Sequence, residues 1–261
     1  MIGDWNVTGR RARVTFQSPI TLTSNHPDLS PTAPACIMAP MSQELWKSVD
    51  EYFETMLLPN DPVLDAAVKA SVDAHLPPIA VSAVQGKLLH LLARSIQANK
   101  ILEIGTLGAY STIWLGRALP AGGKLITLEL DAKHAAVARS NLARAGLADK
   151  VELMLGRALD TLPKLASSGT APFDLIFIDA DKPSNPEYFT WAMKLSRPGS
   201  VIIVDNVVRK GAVIDAKSAD EDVRGVRRCL ELMNKEPRFS ATVLQSVGTK
   251  GYDGLVMGVV D

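Results

Sequence analysis

The stretch Ile101-Leu-Glu-Ile-Gly-Thr-Leu-Gly-Ala-Tyr-Ser111 decides the fold. A short apolar run enters Gly105, a second glycine follows at 108, and helical spacing begins at about 110, so it reads as strand, tight turn and helix. Working outward, further strands are predicted over 124–130, 151–155, 174–179 and 201–205, with the first over 101–105. Helical patterns near 110–119, 132–145, 157–166 and 186–196 lie between them, and another follows at 220–235. Upstream, Val84, Leu88, Leu91, Leu92 and Ile96 recur at helical spacing. Such alternation predicts an α/β domain whose parallel strands are joined by crossover helices. The runs 241–247 and 254–260 are expected to close the sheet as an antiparallel pair, separated by 248–253, where Gly251 and Asp253-Gly254 are turn formers.

The chain has 261 residues, of which 47% are hydrophobic, enough for the core of one domain. Its 28 basic and 28 acidic residues cancel, so the basic excess of a nucleic-acid binder is missing and a small-molecule ligand is expected. Cys36 and Cys229 are too few for a disulfide framework or a cysteine-rich metal site, which points to a reducing, cytoplasmic setting. No apolar run approaches the roughly 18–20 residues of a membrane span, so no membrane association is expected. Residues 1–40 carry Arg10, Arg11 and Arg13, then Pro19, Pro27, Pro31, Pro34 and Pro40 among Ser and Thr. This composition predicts a disordered extension before a domain over 41–261. A targeting peptide is the alternative, opposed by Asp4 and Asp28. The sequon Asn6-Val7-Thr8 is a pattern without consequence unless the chain is secreted.

Ligands of an open parallel sheet collect at the carboxyl ends of its strands. Leu107 stands where the dinucleotide fingerprint G-x-G-x-x-G has its second glycine, which disfavours a pyrophosphate-bearing cofactor. S-adenosylmethionine needs the tight turn and free amides but not that closest approach, and Glu103 would serve its ammonium end. Glu129, 24 residues after Gly105, can accept both ribose hydroxyl protons, a feature shared with NAD enzymes. Two more apolar strands end in acid, at Asp179 and at Asp205, and Asn206 follows the second. Strand-end acids singly are most often loop caps. Together these three offer hard oxygen donors at one edge, a set suited to Mg²⁺. Lys182, three residues past Asp179, is then a candidate general base.

The strings Glu103-Ile-Gly-Thr-Leu-Gly-Ala-Tyr-Ser, Phe177-Ile-Asp-Ala-Asp-Lys and Val204-Asp-Asn-Val resemble the cation-dependent O-methyltransferases of the catechol and caffeoyl-CoA family, from about residue 41 to the C-terminus. The resemblance implies a Rossmann-like class I methyltransferase fold: seven mostly parallel strands, the last antiparallel, with helices on both faces. It implies methyl transfer from S-adenosylmethionine to one hydroxyl of a catechol-type vicinal diphenol. It assigns cofactor contacts to Val81, Glu103, Gly105, Ser111, Glu129, Ala158 and Asp179, and a divalent cation, Mg²⁺, to Asp179, Asp205 and Asn206. Lys182 and Asp179 carry the catalysis, and the enzyme is expected to be a homodimer joined through helices before residue 100. Two residues depart from the family pattern. Ala109 replaces a loop glycine, with Gly108 expected to restore the lost freedom, and Asn185 replaces a tyrosine near the expected acceptor pocket. The rival functions are an NAD-dependent oxidoreductase and a catalytically silent ligand-binding protein. Leu107 and the absence of a Tyr-x-x-x-Lys site oppose the first; the set Asp179, Lys182, Asp205 and Asn206 opposes the second. His90 and His134 are expected to be packing or surface histidines, Trp114 a core residue, and Trp191 and Tyr188 packing residues before pocket-lining ones.

Overall fold

The five parallel strands are present as β1 (Lys100–Ile104), β2 (Lys124–Glu129), β3 (Val151–Leu155), β4 (Leu175–Ile178) and β5 (Val201–Asp205) in a computed structural model that describes residues 42–261. The expected extension over 1–40, with Cys36 and the sequon, lies outside the described residues. Helices α1 (Gln43–Leu57), α2 (Pro62–Asp73) and α3 (Ala83–Ser95) precede β1. The crossovers are α4 (Tyr110–Ala118), α5 (Ala132–Arg144), α6 (Ala158–Ser167) and α7 (Asn185–Lys194), and α8 (Glu221–Lys235) leads to β6 (Phe239–Gly248) and β7 (Gly251–Val260). The sheet order is β3-β2-β1-β4-β5-β7-β6, with β7 antiparallel to both of its neighbours. This is the Rossmann-like class I methyltransferase arrangement that the sequence motifs imply. The strand order reverses between β1 and β4, which makes their carboxyl ends the topological switch point.

Alternation along the strands sorts the core into two layers. Leu102, Ile104, Ile176, Ile178, Ile202 and Val204 pack on one face with Leu162, Phe189 and Val226 from α6, α7 and α8. Ile101, Leu125, Leu175, Phe177 and Ile203 face the other way, against Leu89, Ile113 and Ala138 from α3, α4 and α5. Both faces are covered, as a parallel sheet requires. Among the described residues no helix is long and apolar enough to cross a membrane.

Two expectations need correction, and two helices are added. The last two strands are longer than their apolar runs, and the turn between them is Thr249-Lys250 rather than the whole of 248–253, because Gly248 pairs with Gly251. The left-handed residues of the loop after β1 are Gly105 (φ 100°), Leu107 (51°) and Ala109 (66°), so Gly108 does not relieve Ala109. Gly108 serves packing instead: a Cβ there would lie 2.1 Å from Ser71 Oγ of α2. The helices α1 and α2 were not read from periodicity, although each starts at a side-chain cap, Ser42 and Asp61.

The second of these caps matters for the site because α2 backs the loop after β1. Asp61 accepts the N–H groups of Val63 and Leu64 and is ion-paired with the half-buried Arg117 of α4, Nη2 lying 3.2 Å from Oδ1. Asp61→Ala removes the cap and leaves Arg117 unpaired. It is expected to lower the unfolding free energy by about 1–3 kcal/mol in urea melts, with Asp61→Asn, which keeps the cap, losing less.

Candidate active site

The strand register lines up the expected residues. Ile104 pairs with Leu128 of β2 and with Ile178 of β4, and Ile178 pairs with Val204 of β5. One residue further along each strand are Glu129, Gly105, Asp179 and Asp205, which thus share one row across the carboxyl edge. Neighbouring strands are about 4.8 Å apart, so the row spans roughly 14 Å.

On the β1/β2 side, Glu129 Oε2 accepts the N–H groups of Thr106 at 3.2 Å and Leu107 at 2.8 Å, and its Oε1 accepts the Asp131 N–H at 2.9 Å. His134 Nδ1 stands 3.5 Å from that Oε1. Glu103 is 0% exposed. Its oxygens accept hydroxyl hydrogens from Ser111 at 2.7 Å, Thr112 at 2.5 Å and Thr127 at 2.7 Å, which ties the first turn of α4 to β1 and β2. Burial raises the Glu103 carboxyl to about 7 against the pull of these three hydroxyls. Val81 is buried before α3, and Ala158 opens α6.

Across the switch point, Lys182 sits in a short 3-10 turn, Lys182–Ser184, only 7% exposed, and its Nζ donates to Asp179 Oδ1 at 2.8 Å. Asp205 is 3% exposed. Burial, and then the charge of neighbouring Asp179, push its carboxyl up to about 7. Its Oδ1 accepts the Asn206 N–H at 2.8 Å, and Asn206 itself is left-handed at φ 57°. Asp179, Lys182 and Asp205 therefore lie together at adjacent strand ends, with the Asn206 backbone beside them. Among the described residues no three His, Cys, Asp and Glu side chains gather as a metal-holding group.

Sequence reasoning missed several partners. Gln85 of α3 donates from Nε2 to Asp205 Oδ2 at 2.7 Å. Ser82 caps α3 through the Gln85 N–H, so Ser82-x-x-Gln85 was legible as a capping pattern, but the glutamine side chain reaches across to β5. Tyr188, buried as a packing residue, also donates its hydroxyl to Asp181 Oδ1 at 2.5 Å, and burial raises its pKa. Asn185 is 1% exposed, and its side-chain amide finds no hydrogen-bond partner among the described residues. Trp114 is core, and its carbonyl lies 3.1 Å from Nδ1 of the part-buried His90.

A seven-stranded, doubly wound sheet with acids on both sides of a glycine turn at its switch point has the form of a ligand-binding α/β domain. The chain belongs to the O-methyltransferase family, whose profile matches residues 55–257, and within it to the S-adenosylmethionine-dependent class I enzymes related to catechol and caffeoyl-CoA O-methyltransferases. It is 50% identical over 220 residues to a catechol O-methyltransferase of Niastella koreensis, covering 84% of this chain and 100% of that one. An O-methyltransferase from Bacillus cereus in complex with SAH superposes with a TM-score of 0.84 at 55% identity, over 84% of this chain and 100% of that one. TomG from Streptomyces achromogenes, involved in tomaymycin synthesis and in complex with SAM, gives 0.82 at 56% identity over 84% and 99%.

Because the folded chain holds the Glu103 proton more tightly than the unfolded chain, the buried carboxyl costs stability progressively as pH rises from about 4.5 to about 7, by up to about 3 kcal/mol. Glu103→Gln keeps partners for the three hydroxyls without the charge. The loss of unfolding free energy between about pH 5 and about pH 8 is expected to shrink by about 2 kcal/mol in this variant. An unchanged pH dependence in urea melts would refute this assignment.

Proposed function

We propose that residues 41–261 form a cation-assisted O-methyltransferase domain that transfers a methyl group from S-adenosylmethionine to one hydroxyl of a catechol-type vicinal diphenol. The observation that carries it is the pairing of two acids, the part-buried Asp179 and the buried Asp205, with Lys182 at adjacent strand ends, in a chain half identical to a catechol O-methyltransferase along that relative's whole length. The donor occupies the β1/β2 half. Its amino-acid end lies against Gly105 and the loop amides, beside Ser111 and Glu103, with Val81 and Asp179 at the border. Glu129 serves the ribose hydroxyls, exchanging its bonds to the Thr106 and Leu107 amides for them, and Ala158 lies beside the base.

The donor set fits a divalent cation. Asp179 and Asp205 are neighbours in register, Asp205 is buried, and Asn206 adds an amide oxygen, all hard donors of the kind Mg²⁺ prefers. A bound Mg²⁺ would supply Lewis acidity toward a phenolic oxygen and an anchor for the adjacent hydroxyl. Lys182, whose Nζ stands 2.8 Å from Asp179 Oδ1, gives one ammonium proton to solvent and, as the neutral amine, takes the phenolic proton. The C–S bond of the sulfonium breaks as the C–O bond forms, and the pocket's main contribution is to hold oxygen, carbon and sulfur in line.

The test is a methyl-transfer assay over a panel of ortho-diphenols and their single-hydroxyl analogues. Turnover is expected only for the diphenols and is expected to be lost with EDTA and restored by Mg²⁺. Asp179→Ala, which removes both a cation ligand and the partner of Lys182, is expected to lower kcat/KM by about 1000-fold or more. Lys182→Ala should cost about 100-fold. Equal and mild losses in the two variants would sink the cation-assisted mechanism, and NAD binding without S-adenosylmethionine binding would favour an oxidoreductase.

We also propose that the cytoplasmic enzyme is a homodimer. Helix α1 buries none of its own residues and leaves Tyr52, Phe53, Met56 and Leu57 exposed, an apolar face suited to a second copy. Light scattering is expected to give twice the chain mass, and Phe53→Glu with Met56→Glu is expected to shift it to one.

A further inference from the structure

The loop leaving β5 is rich in left-handed backbone. Asn206 (φ 57°), Arg209 (52°), Lys210 (55°) and Gly211 (89°) all lie at positive φ, and three of the four carry a Cβ. Such residues keep this conformation only where their surroundings over-determine it.

The middle of this loop is fastened by Asp253. Its Oδ1 accepts three backbone N–H groups: Val208 at 2.9 Å, Arg209 at 3.0 Å and Gly254 at 2.9 Å. Val207 N–H donates to the Gly254 carbonyl at 3.0 Å. The acid reaches this edge because β7 runs against β5. Leu255 pairs with Asp205, so the residues just before Leu255 lie beyond the carboxyl end of β5, beside the loop. From the other side, Arg209 Nη2 donates to Asp222 Oδ2 of α8 at 2.7 Å, and Arg227 Nη1 donates to the Val213 carbonyl at 2.6 Å. In the sequence Asp253 reads only as a turn former, yet the turn it would have served lies at Thr249-Lys250.

We propose that Asp253 is a positioning residue for the acceptor half of the site: by gathering the loop amides of Val208 and Arg209 beside its own following amide it locks residues 206–211 into the left-handed path that sets Asn206 beside Asp205. It acts through backbone rather than by contact with the reacting groups. The proposal rests on the methyl-transfer function above and deepens it, because the path of this loop then governs how a diphenol is presented and which hydroxyl is methylated. The donor half, built on Gly105, Ser111 and Glu129, is separated from Asp253 by β4 and β5, so donor affinity should not depend on it.

The experiment compares the full chain with Asp253→Ala and Asp253→Asn. Three quantities are measured: hydrogen exchange of peptides covering 206–211, calorimetric binding of S-adenosylhomocysteine, and kcat, KM and the ratio of the two monomethyl ethers from an asymmetric ortho-diphenol. Asp253→Ala is expected to speed exchange in 206–211 by about tenfold or more. It should lower acceptor kcat/KM by about 10- to 100-fold, the scale of an ångström-sized misplacement, and move the ether ratio, with S-adenosylhomocysteine affinity held within about twofold. Asp253→Asn keeps the accepting oxygen and should recover most of the loss; if the alanine variant does not fold, the asparagine variant carries the same comparison with smaller shifts. Wild-type exchange in the variant overturns the proposal. So do unchanged acceptor kinetics and ether ratio despite faster exchange, or a proportional loss of S-adenosylhomocysteine binding. If the wild-type chain turns over no diphenol, the catechol function fails, and the exchange measurement alone decides whether Asp253 holds the loop.

Discussion

The ends of β1 and β4 approach so closely at the switch point that a Cβ on Gly105 would lie 2.2 Å from the Asp179 carbonyl oxygen. No side chain fits there, and the φ of 100° is one that L-residues rarely adopt. The contact sets the row Glu129, Gly105, Asp179, Asp205. It brings Glu129 and Asp205 to either side of one residue without bulk. Reaction geometry in a methyl transfer is mostly a matter of distance and alignment, and here the distance between the halves is a property of the sheet, not of a mobile loop.

The two halves handle buried charge differently. Glu103 is surrounded by hydroxyl dipoles from Ser111, Thr112 and Thr127, which stabilise a carboxylate without adding charge and leave it raised to about 7. Asp205 has a like charge for a neighbour, Asp179, and is met by Gln85, its own following amide and the Lys182 ammonium bound to Asp179. A buried acid beside a part-buried one is unfavourable unless positive charge joins them. Positive charge at this edge, as the Lys182 ammonium on Asp179 supplies, therefore lowers the energy of the protein.

Support for these groups comes from distant parts of the chain. Gln85 approaches from α3, the loop amides are backed by α2 through Ser71, and Asn141 of α5 donates to the Gly108 carbonyl at 2.9 Å. The turn bearing Lys182 is fastened by α8, where Arg228 donates to the Pro183 carbonyl at 3.3 Å and the buried Cys229 thiol to that of Asn185 at 3.5 Å. Burial raises that thiol to about 12, so Cys229 is a packing residue rather than a nucleophile.

Sequence by itself determined the parallel sheet, its crossover helices and the acids at the ends of β2, β4 and β5. Apolar runs and their period encode which face of an element is buried, and a polar residue ending such a run must emerge at the sheet edge. Gly105 was legible for the same reason, as the glycine where a strand must turn at once. Tertiary structure alone decided the partners of those acids. Gln85 is 120 residues from Asp205, and Asp253 is 45 from Val208. Periodicity says that a side chain points inward but not what it meets there. It also could not show that Leu107 and Ala109, rather than Gly108, take the left-handed turn, because packing of Gly108 against Ser71 overrode the local preference for glycine at positive φ.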